Sequence, residues 1–152
     1  MTEPSRNRLQ LWVSLPHPPE AVWAAIGDFA GIARWHPEIV SAELVEIDGD
    51  THRHLRLADG ALVLERLSET GDLHYSYEIV EGTLPLSDHR ATLSCVAEDD
   101  GCHVFWSAVF EPGDPAVDDI VEGFYRIGLE ALRARFGGRG RAAARRAGAT
   151  RR

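Results

Sequence analysis

"ADGALVLERLSETGDLHYSYEIVEG", residues 58–82, decides the fold. Apolar and polar residues alternate on both sides of "ETGD", and "ADGA" marks a second turn at the start. A period of two broken by Asp/Gly turns is the pattern of antiparallel strands with one buried face. Outward from this segment, strands are expected at Ile39–Ile47, His52–Ala58, Ala61–Ser68, Leu73–Val80, Asp88–Ala97 and Cys102–Phe110, with "DGDT" and "EDDG" as further turns. "RLQLWVSL" (8–15) adds a first strand, making seven.

Helical periodicity flanks the strands. In "PHPPEAVWAAIGDFAGIARW" (16–35) the prolines start a helix, Gly27 breaks it and Asp28 can cap a short second one. Pro37 stops that second helix and biases His36 toward extended backbone. "PAVDDIVEGFYRIGLEALRARF" (115–136) is a long amphipathic helix with Val117, Val121, Phe124, Gly128, Ala131 and Leu132 expected on one face.

At 152 residues, 44% hydrophobic and 26% charged, the chain suits one globular domain over residues 1–136. No apolar run reaches the length of a membrane span and "MTEPSRNR" has no apolar signal core, so a cytoplasmic location is expected, with no membrane insertion. All sixteen basic residues are arginines, and six of them lie in residues 137–152, "GGRGRAAARRAGATRR". That Arg/Gly/Ala-rich tail is expected to be disordered. The remainder sets ten arginines against twenty-four acids, about −14, which does not favour nucleic acid. Nothing in the sequence states the oligomeric state.

The hairpins predict an inner face. A two-residue turn at Asp59-Gly60 sets Leu57 against Leu62, Leu55 against Leu64 and Arg53 against Arg66. The next turn sets Leu62 against Ile79, Leu64 against Tyr77 and Arg66 against Tyr75. Cys95 then faces Val104, Leu93 faces Trp106, Ala91 faces Ala108 and His89 faces Phe110. Glu65 is expected to point outward, opposite Ser76. Ala42, Ala91 and Ala108 leave gaps between large side chains. A row of Glu46, Arg53, Arg66, Tyr75, Leu93 and Trp106 puts charge on a face that should be dry. Either Glu46 and a ligand serve the arginines, or the row lies at an open rim where they reach water.

The order of elements, with "PPEAVWAAIGDFAGIARWHPEI", "DGALVLERL", "HYSYEIVEG", "HVFWSAVFEP" and "VEGFYRIGLEAL", resembles the SRPBCC superfamily, the START and birch-pollen-allergen-like helix-grip proteins, and its polyketide cyclase/dehydrase-like branch. The resemblance spans about Leu9 to Phe136. It implies an α+β helix-grip fold: a curved seven-stranded antiparallel sheet around the long C-terminal helix, two short helices after strand 1, and a deep cavity between sheet and helix. It implies a hydrophobic small molecule as partner, polyketide-like or lipid-like, in specialised metabolism. The activity would be cofactor-independent cyclisation and dehydration, or else carriage of the ligand unchanged.

Such chemistry needs a base near a carbon acid and a donor for the developing enolate oxygen. His36, Tyr75 and Arg66 are the candidate catalytic residues. Trp35, Arg53, Leu64, Tyr77, His89, Ala91, Trp106, Ala108, Phe110, Phe124 and Gly128 are the candidate lining. For His36, in "WHP", two readings stand: a group exchanging protons at the cavity mouth, or a packed turn. "HRH" (52–54) supplies only two imidazoles on one strand face, so no metal is expected. No nucleophile elbow, phosphate loop or dinucleotide fingerprint appears, and no cofactor is implied.

Overall fold

The computed structural model describes residues 6–111, 113–138 and 141–148. Strand β1 (Asn7–Leu15) is followed by helix α1 (Pro19–Ile26) and a 3-10 segment, Phe29–Arg34. Six strands come next: β2 (Ile39–Ile47), β3 (Asp50–Leu57), β4 (Leu62–Thr70), β5 (His74–Gly82), β6 (Arg90–Glu98) and β7 (Gly101–Phe110). Helix α2 (Pro115–Phe136) and strand β8 (Ala143–Ala147) follow. The strands form one antiparallel sheet in the order β2-β3-β4-β5-β6-β7-β1-β8. This is the expected α+β helix-grip arrangement with eight strands in place of seven.

The local chemistry accounts for the boundaries. Pro18 and Pro19 open α1, where a missing N–H costs nothing, and the Gly27 N–H closes it on the Trp23 carbonyl at 2.7 Å. The Asp28 carboxylate accepts from the Ala30 N–H at 3.1 Å and starts the 3-10 segment. Asp114 caps α2 in the same way, and Gly137, at φ 75°, ends it in the left-handed conformation. None of the helices among the described residues is long and apolar enough to cross a membrane.

The buried stripe of α2 is Val117, Val121, Tyr125, Gly128, Leu129 and Leu132. Phe124 and Ala131, expected on that stripe, flank it half-buried, and Tyr125 takes the central place. The 3.6-residue period favours this solution, because 117, 121, 125, 128 and 132 lie on one line of the helix. The stripe packs over β1, and over β7 through Tyr125 on Trp106; Leu9, Leu11, Val13, Val104 and Trp106 of those strands are buried, as is Leu93 of the neighbouring β6. There the register agrees with expectation: Cys95 opposes Val104, Leu93 opposes Trp106 and Ala91 opposes Ala108.

Part of the tail departs from expectation, while residues 139–140 and 149–152 of it lie outside the described residues. Ala143–Ala147 pairs with β1, with Arg8 opposite Ala147 and Trp12 opposite Ala143. Its only apolar residues are alanines, so its attachment is largely polar. The Ala142 N–H donates to Glu130 at 2.6 Å, and Arg126 donates to the Ala142 carbonyl at 2.6 Å. Arg146 bridges Asp119 and Glu122 of α2, each at 2.8 Å. Ending the chain after Gly138 is therefore expected to expose the β1 edge and lower stability by about 1–3 kcal/mol. Urea unfolding together with faster amide exchange across Arg8–Trp12 checks this; unchanged exchange there would contradict it.

Candidate functional site

The interior site begins at the turn between β3 and β4. The Leu57 N–H donates to the Ala61 carbonyl at 2.9 Å, the Ala61 N–H donates to Asp59 at 2.9 Å, and Gly60 sits at φ 91°. The connection is thus three residues long, Ala58 to Gly60, with glycine at the left-handed position. Compared with the expected two-residue turn, it moves the register by one: Leu55 opposes Val63 and Arg53 opposes Glu65. A slip of one inverts the partner strand. Glu65 therefore points inward and is buried, while Leu64 and Arg66, expected inside, face out.

Arg66 then has no place in the site. It pairs with Glu78 on the outer face, and the other oxygen of Glu78 takes Arg90 at 3.2 Å. Glu46 does not serve Arg53 either, since it is exposed and accepts from the Thr51 hydroxyl at 2.9 Å. The reading of an open rim fails as well: Arg53 is fully buried.

Arg53 is held from several sides. Its Nε donates to Glu65 at 2.7 Å; its Nη1 donates to the Phe29 carbonyl at 2.8 Å and to the Tyr75 hydroxyl at 3.2 Å. The guanidinium lies 3.9 Å from the Phe29 ring centroid and 4.9 Å from that of Tyr77, within cation–π range. Burial opposes its charge, but Tyr75 and Glu65 outweigh that and raise its affinity for the proton. Burial also pushes the Glu65 carboxyl up, with Arg53 pulling it back. At this separation the guanidinium stays charged and the carboxylate is its counter-charge, because an unpaired buried cation costs several kcal/mol. Among the described residues, Arg53 Nη2 has no hydrogen-bond partner.

A second polar chain runs beside the first. The Trp106 Nε1–H donates to the Tyr77 hydroxyl at 3.0 Å, and the Tyr125 hydroxyl lies 3.4 Å from His89 Nε2. Tyr125 stacks on Trp106 with centroids 4.2 Å apart, and His89 stacks on Phe110 at 6.3 Å. Burial drives the Tyr75, Tyr77 and Tyr125 hydroxyls above their ordinary range, so all three stay protonated at neutral pH. Burial lowers His89 to about 4, leaving it neutral. Its Nδ1 is also without a partner among the described residues.

His36 is buried where the 3-10 segment turns into β2. Its Nε2 donates to the Phe124 carbonyl of α2 at 2.8 Å, and its Nδ1 accepts from the Glu38 N–H at 3.1 Å, which sets the neutral tautomer. The ring stacks on Phe124 at 4.1 Å and meets Trp106 edge-on at 5.7 Å. Burial lowers it to about 4. Gly128 makes room for it: a Cβ there would lie 2.5 Å from His36 Cδ2. Trp35 is buried 5.7 Å from Trp106 in centroid distance, and its Nε1 has no partner among the described residues.

The structure thus gathers Arg53, Tyr75, Tyr77, His89, Trp106, Trp35 and His36 inside, with Ala91 and Ala108 buried opposite one another and Phe110, Phe124 and Gly128 around them. It excludes Arg66 and Leu64. Sequence reasoning missed Glu65, Phe29 and Tyr125. The signal for Tyr125 was present in the helix period; that for Glu65 depended on one turn residue.

Residues 8–137 match the family described as polyketide cyclase / dehydrase and lipid transport. The chain belongs to that family, and its fold is of the SRPBCC type. Among solved structures, the protein XoxI from Bacillus cereus is 30% identical, over 85% of this chain and 94% of that one, with a TM-score of 0.78. A START superfamily protein from Mycobacterium smegmatis is 14% identical, over 86% of this chain and 97% of that one, with a TM-score of 0.69. The Zhui aromatase/cyclase from Streptomyces sp. R1128 is 14% identical, over 86% of this chain and 93% of that one, with a TM-score of 0.71. The last two show likeness of fold alone. A search of curated proteins found no match.

Two predictions follow from the imidazoles and their packing. The unfolded chain protonates each near 6.5, while the folded one resists until about 4. Stability is therefore full above about pH 6.5 and falls as the pH drops toward 4, by about 3 kcal/mol per histidine. Urea midpoints across that window check this, and His89→Gln should remove its share of the slope. Gly128→Ala should cost about 1–3 kcal/mol by overpacking His36 and Trp106, read from the same unfolding curves.

Proposed function

We propose that this protein binds a hydrophobic small molecule carrying hydrogen-bond acceptors, between the sheet and α2, and promotes its cyclisation and dehydration. It would do so by shape and by fixed donors to the enolate oxygen, with the α-proton passing to water and returning from water to the leaving hydroxyl, and with no titrating protein base. One observation carries the reading: three buried nitrogens, Arg53 Nη2, His89 Nδ1 and Trp35 Nε1, lack partners among the described residues of an aromatic-rich interior. Buried polar atoms are almost always satisfied, so such orphans are the groups a bound molecule or water would complete. A polyketone, apolar in outline and studded with carbonyl oxygens, fits that requirement. Family membership supports the same class of ligand.

The protonation states favour electrostatic assistance over proton shuttling. Both interior imidazoles are neutral and hard to protonate, and His36 has both nitrogens engaged. A general base works best with a pKa near the operating pH, which neither imidazole has. Neutral tyrosines and a charged guanidinium are donors suited to a developing enolate oxygen. The engaged His36 also favours a second reading, carriage of a ligand without chemistry.

The test is incubation of a reactive poly-β-ketone with and without protein, read by product distribution, beside native mass spectrometry of the purified chain. Cyclisation predicts a shift toward one product, at a rate nearly flat from about pH 6 to 8 because neither imidazole titrates there. Identical products with and without protein would remove the catalytic reading. A tightly retained, unaltered molecule would favour carriage. Ala108→Leu, which fills the inner face opposite Ala91, should weaken binding at least about tenfold under either reading.

A further inference from the structure

The Arg53–Glu65 pair says which polar group the interior prefers, an inference that rests on the binding interior proposed above. A guanidinium has five N–H groups in a fixed fork. In Arg53 the Nε is spent on Glu65 at 2.7 Å, and Nη1 on the Phe29 carbonyl and the Tyr75 hydroxyl. Nη2, with two N–H groups, has no partner among the described residues, in a side chain with 0% exposure. The usual side-on clamp of arginine on carboxylate uses two parallel bonds, and here only the Nε bond is made. The second arm is left as a donor with no acceptor.

Charge decides what completes that arm. Glu65 already cancels the guanidinium charge, so the pair is neutral as a unit. A ligand carboxylate would bring a second negative charge beside Glu65, out of water and without a counter-ion. A ketone, amide or phenolic oxygen brings a dipole only, and its smaller desolvation cost is met by the free N–H groups. The walls add a shape requirement. Phe29 lies against the guanidinium at 3.9 Å, with the Tyr77 and Tyr75 rings at 4.9 and 5.4 Å, so a flat conjugated body is favoured beside the anchored oxygen.

We propose that Arg53 Nη2 is the polar anchor of the interior and that Glu65 tunes it to take a neutral carbonyl-type oxygen in preference to a carboxylate. Glu65 is thus a specificity-determining residue that need not touch the ligand.

The experiment uses the full chain and three probes of matched size at pH 7.5: 2-acetonaphthone, 2-naphthoate and 2-ethylnaphthalene, titrated by tryptophan fluorescence or calorimetry. The ketone should bind at least about tenfold more tightly than either of the others. Its addition should also shift the side-chain Nε–H resonance of Arg53 in NMR, and the hydrocarbon should not. In Glu65→Gln the order of the polar probes should reverse, with naphthoate gaining about tenfold or more as Arg53 loses its counter-charge. Ketone and hydrocarbon binding within about twofold of each other in the unaltered protein would overturn the anchor while leaving the binding interior standing. Naphthoate binding most tightly there would overturn the role of Glu65. Failure of all three probes to bind would overturn the interior as a binding site and this proposal with it. If Glu65→Gln does not fold, as judged by circular dichroism, the ranking in the unaltered protein and the Arg53 resonance decide.

Discussion

A buried guanidinium facing a buried carboxylate organises the interior. Arg53 ties β3 to β4 through Glu65, to the 3-10 segment through the Phe29 carbonyl, and to β5 through Tyr75. Three consecutive strands and the 3-10 segment that precedes them thus converge on one planar cation. Such a pair is seldom kept for stability, because desolvating two ions offsets most of their attraction and an apolar pair of equal volume does as well. Its value lies in specifying one arrangement, since removal of either partner strands the other. The guanidinium remains incompletely satisfied in the middle of this arrangement, and the proposed ligand binding rests on that.

The position of that pair depends on turn length. Ala58, Asp59 and Gly60 form a three-residue connection where "ADGA" can equally be taken as a two-residue one. The alternation in β4 is compatible with both, because "LVLERL" has apolar side chains on either face. The strand could therefore be placed, but not its sides. On β6 and β7 the pattern is less symmetric: Thr92 and Ser94 on one side contrast with Ala91, Leu93 and Cys95 on the other, and the register was legible. The same logic separates the residues that were found from those that were not. Tyr75, Tyr77, Trp106 and His89 lay on strands with one polar face. Glu65 lay on a strand with none, and a buried carboxylate cannot be inferred until its cation is placed.

His36 illustrates a different limit. "WHP" marked a turn between helix and strand correctly, but the chemistry of an imidazole is set by neighbours that the local sequence does not contain. Here they come from α2, eighty-eight residues on, where the Phe124 carbonyl accepts a proton donor and Gly128 leaves space. Taken with His89 and the three buried tyrosines, the result is an interior whose polar groups hold one protonation state across the neutral range. Groups of that kind orient and stabilise; they do not shuttle. Donors fixed in this way are aimed before any ligand arrives, so the reorganisation they would undergo on binding is small.

The charge asymmetry of the chain has an internal use in this arrangement. The tail's cations are not simply appended to an acidic body: Arg146 sits between Asp119 and Glu122 of α2, and the backbone at Ala142 is gripped by Glu130 and Arg126. Composition alone assigns such a segment to solvent, because it buries almost no apolar area. What composition does not count is the open edge of β1, a row of backbone groups that gains from a partner strand whatever its side chains. A polar strand suffices there, provided that its charges meet complementary ones, and α2 supplies them. The helix that closes the interior is in this way held on one side by its apolar stripe and on the other by the tail, so that the span between sheet and helix depends on both.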